Sequence, residues 1–313
     1  MPIVKSLGLD TKGIRGEFFA ASEAPSLLWP RVTFKMKSNA NKETLKWLGS
    51  APMPKLKDDT TESGGLVSYS FDITNKTYAG ELIIDREELE DEQVDQIKAK
   101  VGEFGVSWGV FKDSLLKDMF KDGATTGNNA YDALTYFNDA HLMKDSEGVT
   151  ADTIDNNFTS AAATGTDPTK AEFEAAFADG IEKMRAYLDE RGVPKNLPGT
   201  GKWMVLVPPQ MELVARQTLQ ATLTGGGDTN VLAAYAELVV WDWLEASADT
   251  FYIMNVGSRG RQPFIYQERT AAEFEALDSD EYIMEHDYAK YIVRQRFVLA
   301  YGEYAKCARH VFT

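Results

Sequence analysis

The side chains able to do chemistry are few and widely spaced. Three histidines, His141, His286 and His310, are the ready imidazole bases or ligands. Only His141 has a carboxylate at metal-ligand spacing, Asp145, and that pair lies in loop-like text without a third ligand nearby. The one cysteine, Cys307, excludes an internal disulfide framework and a cysteine-rich zinc site, and its strand-like surroundings predict a buried, inert thiol. Gly225, Gly226 and Gly227 precede Asp228, the wrong charge for a phosphate cradle, and neither GxxxxGK[ST] nor GxSxG occurs. Asp85, Glu87, Glu88, Glu90, Asp91 and Glu92 lack the alternating ligands and central glycine of a calcium loop. At a helix start they complement the helix dipole instead. The 48 acidic residues offer many carboxylate pairs, none in a recognisable hydrolase setting. The expectation is no catalytic residue, no metal and no cofactor.

Composition narrows the classes further. A chain of 313 residues, 43% apolar and 11% aromatic, is long enough for one large domain or two moderate ones with proper cores. Its formal charge of −15 provides no basic field to hold nucleic acid by phosphate neutralisation. Met1 to Glu17 carries scattered charges and no uninterrupted apolar core, so no secretory signal is expected. No run approaches the roughly 18 apolar residues of a membrane span, so no membrane partner is expected.

The chain is organised around the stretch from Glu87 to Asp122. Val94, Ile97, Val101, Phe104, Trp108, Phe111, Leu115 and Met119 recur at gaps of three or four, one stripe along an α-helix. About 30 residues at about 1.5 Å each predict a rod of roughly 45 Å. Gly102, Gly105 and Gly109 flank the stripe, each costing about 1 kcal/mol of helix propensity. Their spacing calls for close approach of another backbone.

Before the rod, residues Leu9 to Trp29 read as a short helical arm and Arg31 to Lys37 as a strand. Lys42 to Leu48 reads as a second short helix. Gly49 to Gly65 reads as an exposed excursion whose length points to function or disorder. Leu66 to Ile84 resumes as strand, with a break at Asn75 and Lys76. After Gly123 comes loop-like text, then an amphipathic helix from Thr169 to Arg191. A buried strand from Trp203 to Val207 and a helix through Leu213 and Leu219 follow. The glycine-rich loop Leu223 to Asn230 precedes strands Glu237 to Trp243, Thr250 to Val256 and Pro263 to Glu268, and a β-rich tail runs from Tyr288 to Val311. Helix and antiparallel-looking strand without βαβ rhythm indicate the α+β class.

Several phrases in order resemble one family, the major head subunits of Mu-like phages. Arg15 to Ala21 resembles its N-terminal arm, and Trp47-Leu48-Gly49 with Pro52 its W-L-G-x-x-P segment. Asn75-Lys76-x-Tyr78, then Arg86 and Leu89-Glu90-Asp91, is similar to its N-K-x-[FY] and R-x-x-[IL]-x-D stretch. Tyr131-Asp132, Phe137 and His141 match its tyrosine-Asp, Phe and His sequence. Val207-Pro208-Pro209, Gly225-Gly226 with Asn230, Glu237 to Val240, and Pro263-Phe264 follow. One departure stands after Pro54: the family tends to an L-x-E-W-like segment and an arginine, whereas Leu56, Lys57, Asp58 and Asp59 occur here.

The resemblance implies a Hong-Kong-97-type capsid fold. Residues 1–30 would be the arm, 31–86 the extended loop with its flanking strands, and 87–150 a peripheral domain with a spine helix. Residues 151–270 would be an axial domain, and 271–313 the return to the peripheral domain. It also implies intersubunit contacts through Trp47, Leu48, Leu56, Lys57, Arg86, Glu90, Asp91, Gly225, Gly226 and Asn230. The implied function is a major capsid protein, many copies of which form the hexamers and pentamers of an icosahedral head. Scaffold, portal and decoration proteins would be separate partners. DNA would be enclosed without sequence-specific binding, and assembly would occur in the host bacterial cytoplasm. An encapsulin-like nanocompartment shell around a cargo enzyme is the alternative on the same fold, and a secreted glycan-binding or hydrolytic protein, running as a monomer or small oligomer, the alternative from another class.

Overall fold

A computed structural model describes residues 11–48, 68–90, 94–144, 150–164, 166–189, 193–197, 199, 201–223, 227–257 and 261–313. The expected long helix is α4, Val94–Asp122, of 29 residues. The acidic run ahead of it makes a separate short helix, α3, Arg86–Glu90. Ile97, Val101 and Trp108 are buried on α4, followed by Leu116 and Phe120 rather than Leu115 and Met119. A period of 3.6 explains the shift, because a stripe read at about 3.5 residues drifts around a straight helix.

The chain enters through helix α1, Thr11–Glu23, a short helix α2, Trp29–Val32, and strand β1, Thr33–Lys37. Strands β2, Lys42–Leu48, and β3, Ser68–Thr74, pair antiparallel, and β4, Lys76–Asp85, leads to α3 and α4. Lys42–Leu48 is thus a strand and not the helix expected. Its alternate residue Leu45 packs on Ile73, Ile265 and Val298, so a partner strand and a buried face override local propensity. Glu43, which imitates a helix-start residue, accepts the backbone N–H groups of Asn39 and Ala40, each at 2.9 Å, and so closes the preceding turn.

After α4 come the hairpin β5, His141–Lys144, and β6, Thr150–Ile154, then β7, Asn157–Ser160, and helix α5, Lys170–Ala186. Thr169 and Glu172 form a reciprocal capping box at the start of α5. The helix ends five residues before the expected Arg191, and Leu188 bridges back to Pro194. The rest is β8, Lys202–Val207; α6, Glu212–Leu219; β9, Glu237–Val240; β10, Thr250–Val256; β11, Phe264–Leu277; α7, Asp280–His286; β12, Tyr288–Tyr301; and β13, Cys307–Phe312.

Two sheets result. The first has the order β1-β11-β12-β4, and the second β7-β13-β10-β8-β9. Helix α4 belongs to both lobes. Its first half packs with Ile14, Phe18, Tyr291 and Val293, and its second half with Tyr252, Phe264 and Phe137. Strand β11 begins in the first sheet ahead of residue 270, and the final strand β13 joins the second sheet instead of returning to the first. A strand's sheet is set by its hydrogen-bonding partners, which sequence order does not give.

Candidate assembly site

The arm meets the beam where the glycines predicted it. A methyl on Gly105 would stand 2.5 Å from the Phe18 carbonyl oxygen, and one on Gly109 would strike the Ser22 carbonyl. Gly102 has nothing within 4 Å, so the packing reason holds for two of the three. Just beyond the arm, the buried Asp113 accepts the backbone N–H groups of Leu28 and Trp29, each at 2.9 Å. Burial raises its pKa, although those two hydrogen bonds pull the other way. The Lys112 ammonium lies 4.9 Å from the Trp29 ring centre, and burial lowers its pKa to about 8. Neighbouring residues of one helix turn thereby fix where the chain leaves the arm.

The root of the β2–β3 hairpin is held by Asn75. Its side-chain amide donates to Ser38 Oγ and to the Ala40 carbonyl, both at 2.8 Å, and its Oδ1 accepts from Gln267 at 3.0 Å. The sequence marks Asn75 as a break between strands; the structure makes it the tie joining turn, hairpin and first sheet.

A third joint is buried between the lobes, where the chain crosses from β10 to β11 and again from β12 to β13. Gly302 and Glu303 donate their N–H groups to the carbonyls of Pro263 and Gln262, at 2.9 and 3.0 Å. Glu303, 1% exposed, receives Tyr131 Oη and Lys195 Nζ on Oε1, each at 3.0 Å, while Arg261 stands 3.8 Å from Oε2. Burial alone would raise the Glu303 pKa, but Lys195 and Arg261 more than reverse it, and the carboxyl ends below its ordinary value. Lys306, whose ammonium donates to the Lys195 carbonyl, is lowered to about 8 by burial, partly offset by Glu303.

His141 belongs to this joint. Its Nδ1 lies 2.6 Å from Asp132 Oδ2, its Nε2 3.1 Å from the Tyr136 carbonyl, and its ring stacks on Tyr304 at 3.9 Å. Both ring nitrogens are therefore occupied, while Asp145 lies outside the described residues. Tyr131, Asp132 and His141 come together here, while Phe137 packs on Tyr136 and Tyr252 next to the end of α4. Cys307 is buried, and burial raises its thiol pKa well above the ordinary value.

His310 lies at the far end of the second sheet, with Nε2 2.6 Å from Ser160 Oγ and its ring stacked on Phe251. Burial lowers its pKa to about 4; Asp179 opposes that shift and Lys183 reinforces it. The neutral ring fits the folded state, so the unfolded chain binds the extra proton as pH falls below the usual histidine range. Stability contributed by this site is full near pH 7, and about 3 kcal/mol is lost between pH 6.5 and 4. Melting temperature followed over that window should fall more steeply for the wild type than for His310→Phe.

The residues expected at intersubunit contacts occupy separate corners. Trp47 and Leu48 end strand β2, opposite Tyr69 and Ser68. Arg86 donates its backbone N–H to the Asp287 carbonyl at 2.9 Å, with its guanidinium 3.7 Å from Asp287 Oδ1, and Glu90 ends α3. Asn230 is buried and spends its amide on the Thr218 and Ala221 carbonyls, both at 2.8 Å, so it shapes its own loop. Leu56, Lys57, Asp91, Gly225 and Gly226 lie outside the described residues, as does the excursion from Gly49 to Gly65. Around the loop that Asn230 folds, Leu213, Leu223 and Val231 are 67%, 60% and 86% exposed, a surface that sequence periodicity did not single out.

A long helix bridging two sheets, with an N-terminal helix packed along it and a hairpin rooted at the first sheet, is the Hong-Kong-97-type α+β fold of phage capsid subunits. The chain resembles the procapsid subunit of bacteriophage JBD30, with a TM-score of 0.57 at 18% identity over 99% of this chain and 76% of that one. It also resembles the virus-like particle from Pyrococcus furiosus, with a TM-score of 0.57 at 7% identity over 96% and 98%. Its sequence belongs to the family of the Mu-like prophage major head subunit gpT, matched over residues 8–169 and 168–244. The major capsid protein of Escherichia phage Mu is 28% identical over 119 residues, a stretch spanning 38% of each chain.

Proposed function

We propose that this chain is the major capsid protein of a tailed phage or Mu-like prophage, copies of which form hexamers and pentamers of an icosahedral head around double-stranded DNA. The observation that carries the reading is the family match, which runs through the arm, the beam and much of the second lobe. Physical form supports it. Closed rings need heterologous contacts, since a self-complementary two-fold patch stops at dimers. An arm and a hairpin that reach over neighbours multiply modest contacts without a large flat apolar face.

In this reading residues 1–30 are the arm and 31–86 the extended loop with its flanking strands, two of which, β1 and β4, belong to the first sheet. That sheet with α4 is the peripheral body, and the second sheet is the axial body. Trp47, Leu48, Leu56 and Lys57 contact a neighbour through the hairpin. Arg86, Glu90 and Asp91 do so at the corner before the beam, and Gly225 and Gly226 do so at the capsomer centre. Asn230 acts there by shaping the loop. Scaffold and portal proteins are separate partners, and assembly takes place in the host cytoplasm. With a net charge of −15, a wall facing packaged DNA repels it and leaves it mobile.

Electron microscopy of the chain expressed with its genomic neighbours tests this reading. Closed shells are expected. A lone compact molecule under those conditions overturns the proposal.

A further inference from the structure

A cavity of about 470 Å³ lies where the arm, the beam and the first sheet meet, with Ser22, Trp29, Lys112, Tyr266 and Gln295 in its wall. The Lys112 amine is the group in it best placed to react. The rings of Trp29, Tyr266 and Phe297 surround that amine, with centres 4.9, 5.5 and 5.6 Å away. Among the described residues it has no hydrogen bond and no ion pair. Glu268, also in the wall, is committed elsewhere. It pairs with Lys35 Nζ at 3.0 Å and accepts from Tyr266 Oη and Gln295 Nε2 at 3.2 and 3.1 Å. The remaining charged group of the wall is Glu23, exposed at the end of α1.

Ring faces attract an ammonium but offer it no proton acceptor. Burial of Lys112 therefore outweighs the pull of Glu268, Lys35 adds repulsion, and the pKa falls to about 8. At pH 8 about half of Lys112 is the neutral, nucleophilic amine, against less than about 1% of an ordinary lysine. Lys306 is lowered as far, but it is 3% exposed and donates to the Lys195 carbonyl, so its amine is enclosed. Lys112 combines the lowered basicity with an open cavity.

We propose that Lys112 is a site of acylation by small acyl phosphates that enter this cavity. Nζ attacks the acyl carbon and forms an amide bond. The bond from that carbon to the phosphate oxygen breaks, inorganic phosphate leaves, and the proton on nitrogen passes to water. Lys35, in the wall with its side chain 56% exposed, offers positive charge to the incoming phosphate. The product is a neutral amide, so the rings lose the charge through which the beam holds Trp29 at the exit of the arm. This chemistry belongs to the single subunit and stands whether or not shells form.

The test treats the purified full chain with acetyl phosphate from about pH 7 to about pH 10 and reads acetylation peptide by peptide by mass spectrometry. At pH 8 Lys112 should react at least about tenfold faster than the exposed Lys98 and Lys121 of the same helix, and its rate should level off above about pH 8. Lys35→Gln removes a positive neighbour and frees Glu268, and both changes favour the ammonium, so the midpoint of the Lys112 rate profile should move up. In denaturing urea the preference for Lys112 should vanish. Equal rates at the three lysines, a midpoint that Lys35→Gln leaves in place or lowers, or a preference that survives in urea each overturn the proposal.

Discussion

Trp108→Ala should cost about 3–5 kcal/mol of subunit stability, measured by equilibrium urea unfolding. The indole is 9% exposed, lies against Gly80 and is offset-stacked on Phe111, with ring centres 6.3 Å apart. Truncation opens a cavity in the middle of the beam, where neighbouring rings held from two elements cannot collapse into it. The buried Trp108 Nε1 has no hydrogen-bond partner, so part of the ring's contribution is already offset. Trp108→Phe removes that unsatisfied N–H while keeping an aromatic ring, and it should cost about 1–2 kcal/mol. An alanine loss under about 1 kcal/mol would show that the helix is not the packing beam described.

Glu303→Ala should be of similar size, about 3–5 kcal/mol, for a different reason. Removal of the carboxylate leaves Lys195, 6% exposed at its side chain, and Lys306 without their counter-charge, and takes one acceptor from Tyr131 Oη. Since the folded pKa lies below the unfolded one, the carboxylate's contribution is present above the ordinary glutamate range. It is lost as pH falls through the folded value. The difference between wild type and Glu303→Gln should therefore shrink at acid pH. If Glu303→Ala unfolds at the wild-type urea midpoint, the buried charge cluster does not hold the lobes together. The response should also be shared by the lobes: first-sheet and second-sheet peptides should lose hydrogen-exchange protection together, because both crossings pass through this joint.

The amino-acid sequence by itself determined what periodicity and residue type can carry. The stripe on α4, the glycine approach at Gly105 and Gly109, the strand at Thr250–Val256 and the α+β class all follow from spacing along one element. So does the family, because its phrases are contiguous residues. Tertiary structure decided the rest, because it concerns partners far apart in sequence. Lys42–Leu48 became a strand only because Ser68–Thr74 lies beside it, and the last strand changed sheets because β7 and β10 offered it hydrogen bonds. Asn75, Asp113 and Glu303 look ordinary in a list of polar residues. Their roles come from hydrogen-bond partners supplied by segments 35 to 192 residues away, 84 and 85 residues away, and 108 and 172 residues away. Burial makes those distant pairings obligatory, since an unpaired polar group inside a protein costs more than the hydrogen bond that satisfies it returns.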